Sequence, residues 1–443
     1  MRRIYFFAIL VIFITISFII GMKTGSAFPP EAIFNGLFET SAEEVEEEPA
    51  PEPEEEEFIP DIRTVRLVST GNIMAHIPQI TQAHIGDGKY DFTPSFEVIK
   101  PYLKAGDFTV ADLEGMQAGP DIVSSGWGIK GYTGFPEFNA PNELSEALVD
   151  AGVNIFTFAN NHGMDRGVEG LMITLDHVHS LGAKTFGAYK SQEERDEPVI
   201  LEHDGIKVAF IGYTYSTNEI PIPEGYEYCL NFVRDFSDIT PVIDDIEKAR
   251  LYGADFIAVF THWGAAEHAH EPQPQRLREV AADLAAAGAD LIIGGHPKFI
   301  QPAEWFFNPN ADGSERATFV IYSQGNFISN QGENDGYNTI YNEFGLLLNI
   351  ELSKSFDTGQ TWISDVDYEI TWVHRDWRHR VLPLSAVFES SPEDYNLSES
   401  RVNRLKSIYD FSNEVVERYG HLEDKVRAMD ISEMLFNEAS GGN

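Results

Sequence analysis

Asn154-Ile155-Phe156-Thr157-Phe158-Ala159-Asn160-Asn161-His162-Gly163-Met164-Asp165 is the stretch from which the rest of the chain is read. An uncharged, β-forming run passes directly into two amides, an imidazole and a carboxylate. A strand apolar on both faces belongs in a sheet covered on both sides. Side chains placed just after such strands line the crevice where α/β sheets bind ligands.

Working outward, the same texture recurs four times. Thr64–Thr70 leads to Gly71-Asn72, with His76 close by, and Phe108–Ala111 leads to Asp112-Leu113-Glu114. Asp255–Thr261 leads to His262-Trp263, with Glu267, His268 and His270 following. Ala289–Gly294 leads to Gly295-His296-Pro297-Lys298. Lys207–Tyr213, Thr318–Ser323 and Phe344–Leu352 are further strands. Between strands, Asn142–Ala151, Val168–Leu181, Ile239–Tyr252 and Pro274–Ala287 have helical periodicity, and each stops at a glycine. Strand, glycine-stopped helix, strand predicts βαβ units and an α/β fold. Phe344–Leu352 and Asp365–His374 alternate apolar and polar residues, as strands with one wet face do. From Ser391 the chain reads as a polar helical appendage.

The predicted organisation is therefore an N-terminal segment (1–23), an acidic Glu/Pro-rich linker (24–61), an α/β domain (62–380) and the appendage (381–443). Ile4–Ile20 is an uncharged apolar run behind Arg2 and Arg3. Its length favours a single-pass anchor over a cleaved signal peptide, and the arginines keep the N-terminus cytoplasmic. The body is then expected outside the cell, held off the membrane by the linker. Ten of the fifteen residues from Glu43 to Glu57 are Glu, so that linker is extended and solvated. The 443 residues carry 31 Lys plus Arg against 71 Asp plus Glu, a net charge of −40 that repels nucleic acid and anionic lipid. A single cysteine, Cys229, excludes an intrachain disulfide and a cysteine-based zinc site.

Imidazole, carboxylate and amide oxygen together suit a divalent ion such as zinc, manganese or iron. One histidine after one strand means little; five clusters at corresponding strand ends form a pattern. In these five places the sequence resembles the CapA family of bacterial poly-γ-glutamate capsule synthesis proteins. The motifs are Asn72-Ile73-Met74, Ala159–Asp165, His262-Trp263-Gly264, Gly294-Gly295-His296-Pro297 and Tyr322-Ser323-Gln324-Gly325-Asn326-Phe327. The resemblance covers about Val65 to Gln331. It implies a calcineurin-like metallophosphoesterase-type β-sandwich flanked by helices, in four layers. It also implies a membrane-anchored part of polyglutamate synthesis or export, whose partners are the polymer or the membrane synthase subunits.

Carried over by position, Asn161 is an amide metal ligand, and His162 is a general acid oriented by Asp165. Glu114 takes the place of a bridging carboxylate, Asn72 is the first strand's ligand, and His262 and His296 are imidazole ligands. Asn160 and Asn326 stand as substrate contacts beside them. Two positions depart from the family pattern. Asn72 replaces an aspartate, and Lys298 replaces a second histidine. Both changes disfavour two neighbouring ions, so the expectation is a weakened site holding one ion or none. Lys298 is expected to be a fixed positive charge for a carboxylate or phosphate of the substrate.

His177 and His179 read as surface or boundary residues, His268 and His270 as solvated loop residues, and Trp305, Trp372 and Trp377 as packing. His76 and Gln301 fit a structural role as well as a ligand-facing one. Three readings stay open: a component of capsule-polymer synthesis, a metal-dependent hydrolase of a phosphoester or cell-surface polymer amide, and a metal-free binding scaffold. The first is preferred.

Overall fold

A computed structural model describes residues 59–264, 269–271, 275–309, 315–333 and 339–420. The expected membrane segment, residues 24–58 of the linker, Glu267, His268 and residues 421–443 lie outside the described residues. No described helix is long and apolar enough to cross a membrane.

The chain opens with β1 (Ile62–Ile73) and a short helix, Ile77–Ala83, followed by a small hairpin, β2 (His84–Gly86) and β3 (Lys89–Tyr90). β4 (Phe108–Leu113), β5 (Ile155–Thr157) and β6 (Lys184–Phe186) follow, joined by the helices Glu143–Ala151 and Gly167–Ser180. The antiparallel pair β7 (Ile200–His203) and β8 (Ile206–Thr214) leads through helix Thr240–Leu251 to β9 (Phe256–His262). Helix Gln275–Ala287 leads to β10 (Leu291–Gly295). β11 (Ala303–Pro309), β12 (Glu315–Ile321), β13 (Asn326–Ile328), β14 (Phe344–Ser355), β15 (Thr361–His374) and β16 (Arg380–Pro383) complete the strands.

Two sheets result. One runs β16-β15-β14-β1-β4-β5-β6, with β13 also paired to β1; the other runs β11-β12-β10-β9-β8-β7. They lie face to face because the strands have two apolar faces. On β9, Phe256, Ala258 and Phe260 enter the core shared with Val65, Leu67, Phe108 and Val110 of the first sheet. Ile257 and Val259 point the other way, into a cluster with Leu277, Ala281 and Leu284 of helix Gln275–Ala287. The first sheet is covered on its far side by helices through Leu144, Leu148, Leu171 and Leu175. The four-layer order, helix, sheet, sheet, helix, is the expected one, and the two-residue strand period produces it.

The helices stop where the sequence predicts. Gly152 closes Glu143–Ala151 at φ +121, with its N–H returned to the carbonyls of Leu148 and Val149. A side chain there would be strained. At the C-terminus, β16 begins at Arg380 and pairs with β15. The helix Glu399–Val416, capped by the Ser398 hydroxyl on the Arg401 N–H, sends Leu405, Ile408, Val415 and Val416 into the inter-sheet core cluster.

Candidate metal centre

Every motif residue arrives at the same end of the two sheets because β1, β4 and β5 are mutually parallel, as are β9 and β10. Asn72, the last residue but one of β1, lies beside Asp112 of β4. His262 is the last residue of β9, opposite Gly295 of β10.

Three side chains converge as metal ligands do. Glu114, His262 and His296, all buried, each offer an atom within 4.8 Å of the others. His262 Nε2 lies 2.9 Å from Asn161 Oδ1 and 3.8 Å from Glu114 Oε1. Ligands about 2.0–2.1 Å from one tetrahedral ion stand roughly 3.4 Å apart, so these spacings fit a shared ion. Glu114 Oε1 is buried and accepts no hydrogen bond from any described residue. Two or more buried acceptors facing one point need a cation or a donor between them. His262 sharpens this. Its Nδ1 sits 2.9 Å from Asp112 Oδ2, which fixes the ring with a proton on that nitrogen. Nε2 then turns a lone pair toward the Asn161 oxygen, an opposition that a divalent ion, or a second ring proton, resolves. The residues present thus fit one divalent ion of the kind that imidazole, carboxylate and amide oxygen select together.

The other oxygen of Glu114 meets a cation supplied by the protein itself. The Lys298 ammonium bonds Glu114 Oε2, and Lys298 is only 5% exposed. Burial works to raise the Glu114 pKa, but Lys298 first, then His262 and His162, outweigh it and hold the carboxyl below its ordinary range. Lys298 is therefore spent on a protein carboxylate inside the site. Its backbone is left-handed, at φ +63, and His296 is at φ +92. Non-glycine residues in such conformations cost about 1–3 kcal/mol each and cluster where geometry matters. Gly295, the last residue of β10, sits so close to Asn72 Oδ1 that a Cβ would lie 2.9 Å away.

Asn72 Oδ1 is 3.4 Å from the His296 N–H, while its buried Nδ2 meets no acceptor. An aspartate at this position would offer a ligand oxygen where the amide offers an N–H. Asn160 is a brace: Nδ2 donates to Asp112 Oδ1 and to the Leu113 carbonyl, and its oxygen receives the His162 N–H. Asn326 pairs in register with Asn72 across the parallel β1–β13 contact. Its amide donates to Gln331 and to the Asn342 carbonyl, so the side chain ties loops together. Gln301 likewise donates to the carbonyls of Ala269 and Glu271.

His162 and Asp165 form a dyad. His162 Nδ1 is 2.8 Å from Asp165 Oδ2, and the same oxygen takes the Phe138 N–H at 2.5 Å. Burial raises the Asp165 pKa, opposed by His162. The opposite ring nitrogen, Nε2, lies 3.8 Å from Glu114 Oε1, on the ligand side. An imidazole held this way can pass a proton to or from a group bound at the ion.

Three contributors go beyond the motif residues assigned roles from the sequence. Asp112 orients His262, and its neighbour Glu114 took the attention in the motif. Tyr215 places its hydroxyl 2.9 Å from His296 Nε2. Asn218, left-handed at φ +51, accepts from Asn161 Nδ2 at 2.9 Å and lies 3.4 Å from His162 Nδ1. The last two stand after β8, whose end carries no histidine or carboxylate to signal them.

The family model of the bacterial capsule synthesis protein PGA_cap matches residues 66–331. The "PGA biosynthesis protein CapA" of Bacillus subtilis is 26% identical over 242 residues, 54% of this chain and 57% of that protein. The "Capsule biosynthesis protein CapA" of Bacillus anthracis is 25% identical over 275 residues, 60% of each. The chain thus spans less than two thirds of the length of either relative. Among solved structures, the calcineurin-like phosphoesterase YfkN of Bacillus subtilis aligns over 70% of this chain and 90% of its own, with 17% identity and a TM-score of 0.39. The NAD nucleotidase NadN of Haemophilus influenzae aligns over 80% and 61%, with 12% identity and a TM-score of 0.39.

Proposed function

The chain belongs to the bacterial capsule synthesis protein family PGA_cap, and from that premise we propose that it is a membrane-anchored, extracellular component of poly-γ-glutamate-type capsule polymer synthesis or export. The carrying observation is that every assigned ligand and dyad residue, from Asn72 to Asn326, falls within the matched residues 66–331. The apolar run Ile4–Ile20 behind two arginines supports the anchor, and the linker supports a body held away from the bilayer. Its partners are the polymer or the membrane synthase subunits; with a net charge of −40, nucleic acid is not among them.

The site, in this reading, is weakened to a single divalent ion, zinc, manganese or iron, held by Glu114, His262, His296 and the Asn161 oxygen. Lys298 neutralises the second oxygen of Glu114. Deleting the gene and restoring it as wild type or His296→Ala tests the proposal, with surface polymer amount and chain length as readout. Loss on deletion, restored by wild type, is expected. Unchanged polymer after deletion would reject it.

A second reading, a metal-dependent hydrolase of a phosphoester or surface-polymer amide, is favoured by the His162–Asp165 dyad. A bound ion would supply Lewis-acid polarisation of the scissile group. Asp165 holds the imidazole by Nδ1, and His162 Nε2 gives a proton to the leaving group. Asn218 and Asn160 keep the loop that carries His162 in place.

A further inference from the structure

A cleft of about 340 Å³ opens directly on His162 of the dyad. His162, Asn161, Asn218, Glu137, Trp127 and Phe135 are among its walls. Trp127 is 70% exposed and Phe135 78%, unusual values for large aromatic side chains. Their loop is not loosely attached. Glu137, itself buried, accepts the N–H groups of Gly126 at 2.5 Å and Trp127 at 3.2 Å. Ser125 gives its N–H to the Asp165 carbonyl and its hydroxyl to the Met164 carbonyl. Arg166, almost wholly buried, donates to the Ile129 carbonyl at 3.1 Å and bonds the Thr133 hydroxyl. The Phe138 N–H goes to the Asp165 carboxylate. The residues that follow His162 therefore hold the aromatic loop at several points, and the rings are presented on a fixed rim. Preorganised aromatics carry a low entropic cost of binding.

The electrostatics of the cleft narrow the ligand. None of the described residues lining it is Lys or Arg. The Glu219 carboxylate at its edge is paired with Arg234 at 3.4 Å, and the Lys298 charge is committed to Glu114. Apart from Arg234, already paired with Glu219, and the ion proposed beyond Asn161, a chain bearing one carboxylate per unit would meet no Lys or Arg among the described walls, on a body of net charge −40. Nor is the cleft a lipid slot, since amide, imidazole and carboxylate groups interrupt its apolar surface. Flat aromatic faces beside hydrogen-bonding amides and a carboxylate match a pyranose ring. Such a ring has C–H faces to lay on aromatics and a rim of hydroxyls to donate and accept.

We propose that this cleft binds an uncharged saccharide chain, stacked on Trp127 and Phe135 and led toward His162. The inference rests on the reading of His162 as the substrate-facing residue. It makes a neutral cell-surface glycan, rather than the polyglutamate chain, the ligand of this cleft.

Calorimetric titration of the full-length protein tests it, with chitotetraose as the neutral probe and a linear tetramer of γ-linked glutamate as the anionic one. Chitotetraose is expected to bind saturably, about tenfold more weakly to Trp127→Ala. Phe135→Ala is expected to weaken it in the same direction, with both variants melting at the wild-type temperature. The glutamate tetramer is expected to give no saturable heat. No chitotetraose binding, equal binding by wild type and both variants, or preference for the glutamate tetramer would each overturn the proposal. Binding needs neither turnover nor polymer output, so its failure is separable from failure of the capsule-synthesis reading.

Discussion

Replacing Lys298 by Met tests whether its ammonium substitutes for a metal ion. Glu114 is 1% exposed, and one of its oxygens already lacks a partner. In the variant the other oxygen loses its cation as well. Removing one member of a buried ion pair costs about 3–5 kcal/mol. Backbone strain at position 298 is common to both proteins and cancels. For the about 350 described residues at ~2.1 cal/mol/K each, the unfolding entropy is roughly 0.7 kcal/mol/K, so the melting temperature should fall by about 4–7 °C. The assay is thermal unfolding by circular dichroism in excess EDTA, with Lys298→Arg as the charge-keeping control. Adding Mn²⁺ then gives the second half of the result. With both Glu114 oxygens open to an ion, the variant should gain more than the wild type, about 2.7 kcal/mol at a hundredfold excess over Kd. An unchanged or higher melting temperature in EDTA would refute the reasoning. So would a smaller Mn²⁺ response in the variant than in the wild type.

Other outcomes follow from the same geometry. His162→Ala should lower any hydrolytic rate found by about 10²–10⁴-fold, while metal content by mass spectrometry stays unchanged. Gly295→Ala would push a methyl to 2.9 Å from Asn72 Oδ1 and 3.5 Å from His262 Nδ1, so it should reduce bound metal in the purified protein. Asn72→Asp should raise bound metal per chain above wild type, because a ligand oxygen replaces a buried N–H that meets no acceptor. Acid should destabilise the fold through His379, which burial first, then Arg375 and His76, push down to about 3. The unfolded imidazole titrates near 6.5, so the unfolded chain takes the proton first. Stability is fully present above pH 6.5 and falls toward pH 3 by up to about 1.4 kcal/mol per unit; His379→Gln should flatten that slope in urea titrations.

The layers were legible because the strands are apolar on both faces and the helices stop at glycines. Ile155–Thr157, Phe256–His262 and Leu291–Gly295 fall within a residue or two of the strands read from composition. The gathering of Glu114, His262 and His296 was legible too, since parallel strands put their ends together. What the sequence hid were contacts between distant elements with no local signature. Nothing near Asp112 announces that it holds a histidine 150 positions away. Nothing near Lys298 says that its charge is met 184 positions earlier by Glu114 rather than by a ligand. Asn218 was obscured for a related reason, since it stands in a left-handed turn with Glu219 that non-glycine residues seldom adopt, and Tyr215 meets His296 81 positions away.

The position of β1 has a consequence for biogenesis. It lies in the middle of its sheet, flanked by β4 on one side and β14 on the other, with Val65 opposite Leu352 and Ile62 opposite Ser355. A chain made and delivered from its N-terminus presents this strand first and its antiparallel neighbour nearly last. Until Phe344–Ser355 emerges, the edge of β1 from Ile62 to Thr70 lacks its antiparallel partner, and pairing over such sequence separation is slow. The first sheet therefore cannot close around β1 until most of the domain has been synthesised, and the chain stays incompletely folded over that interval.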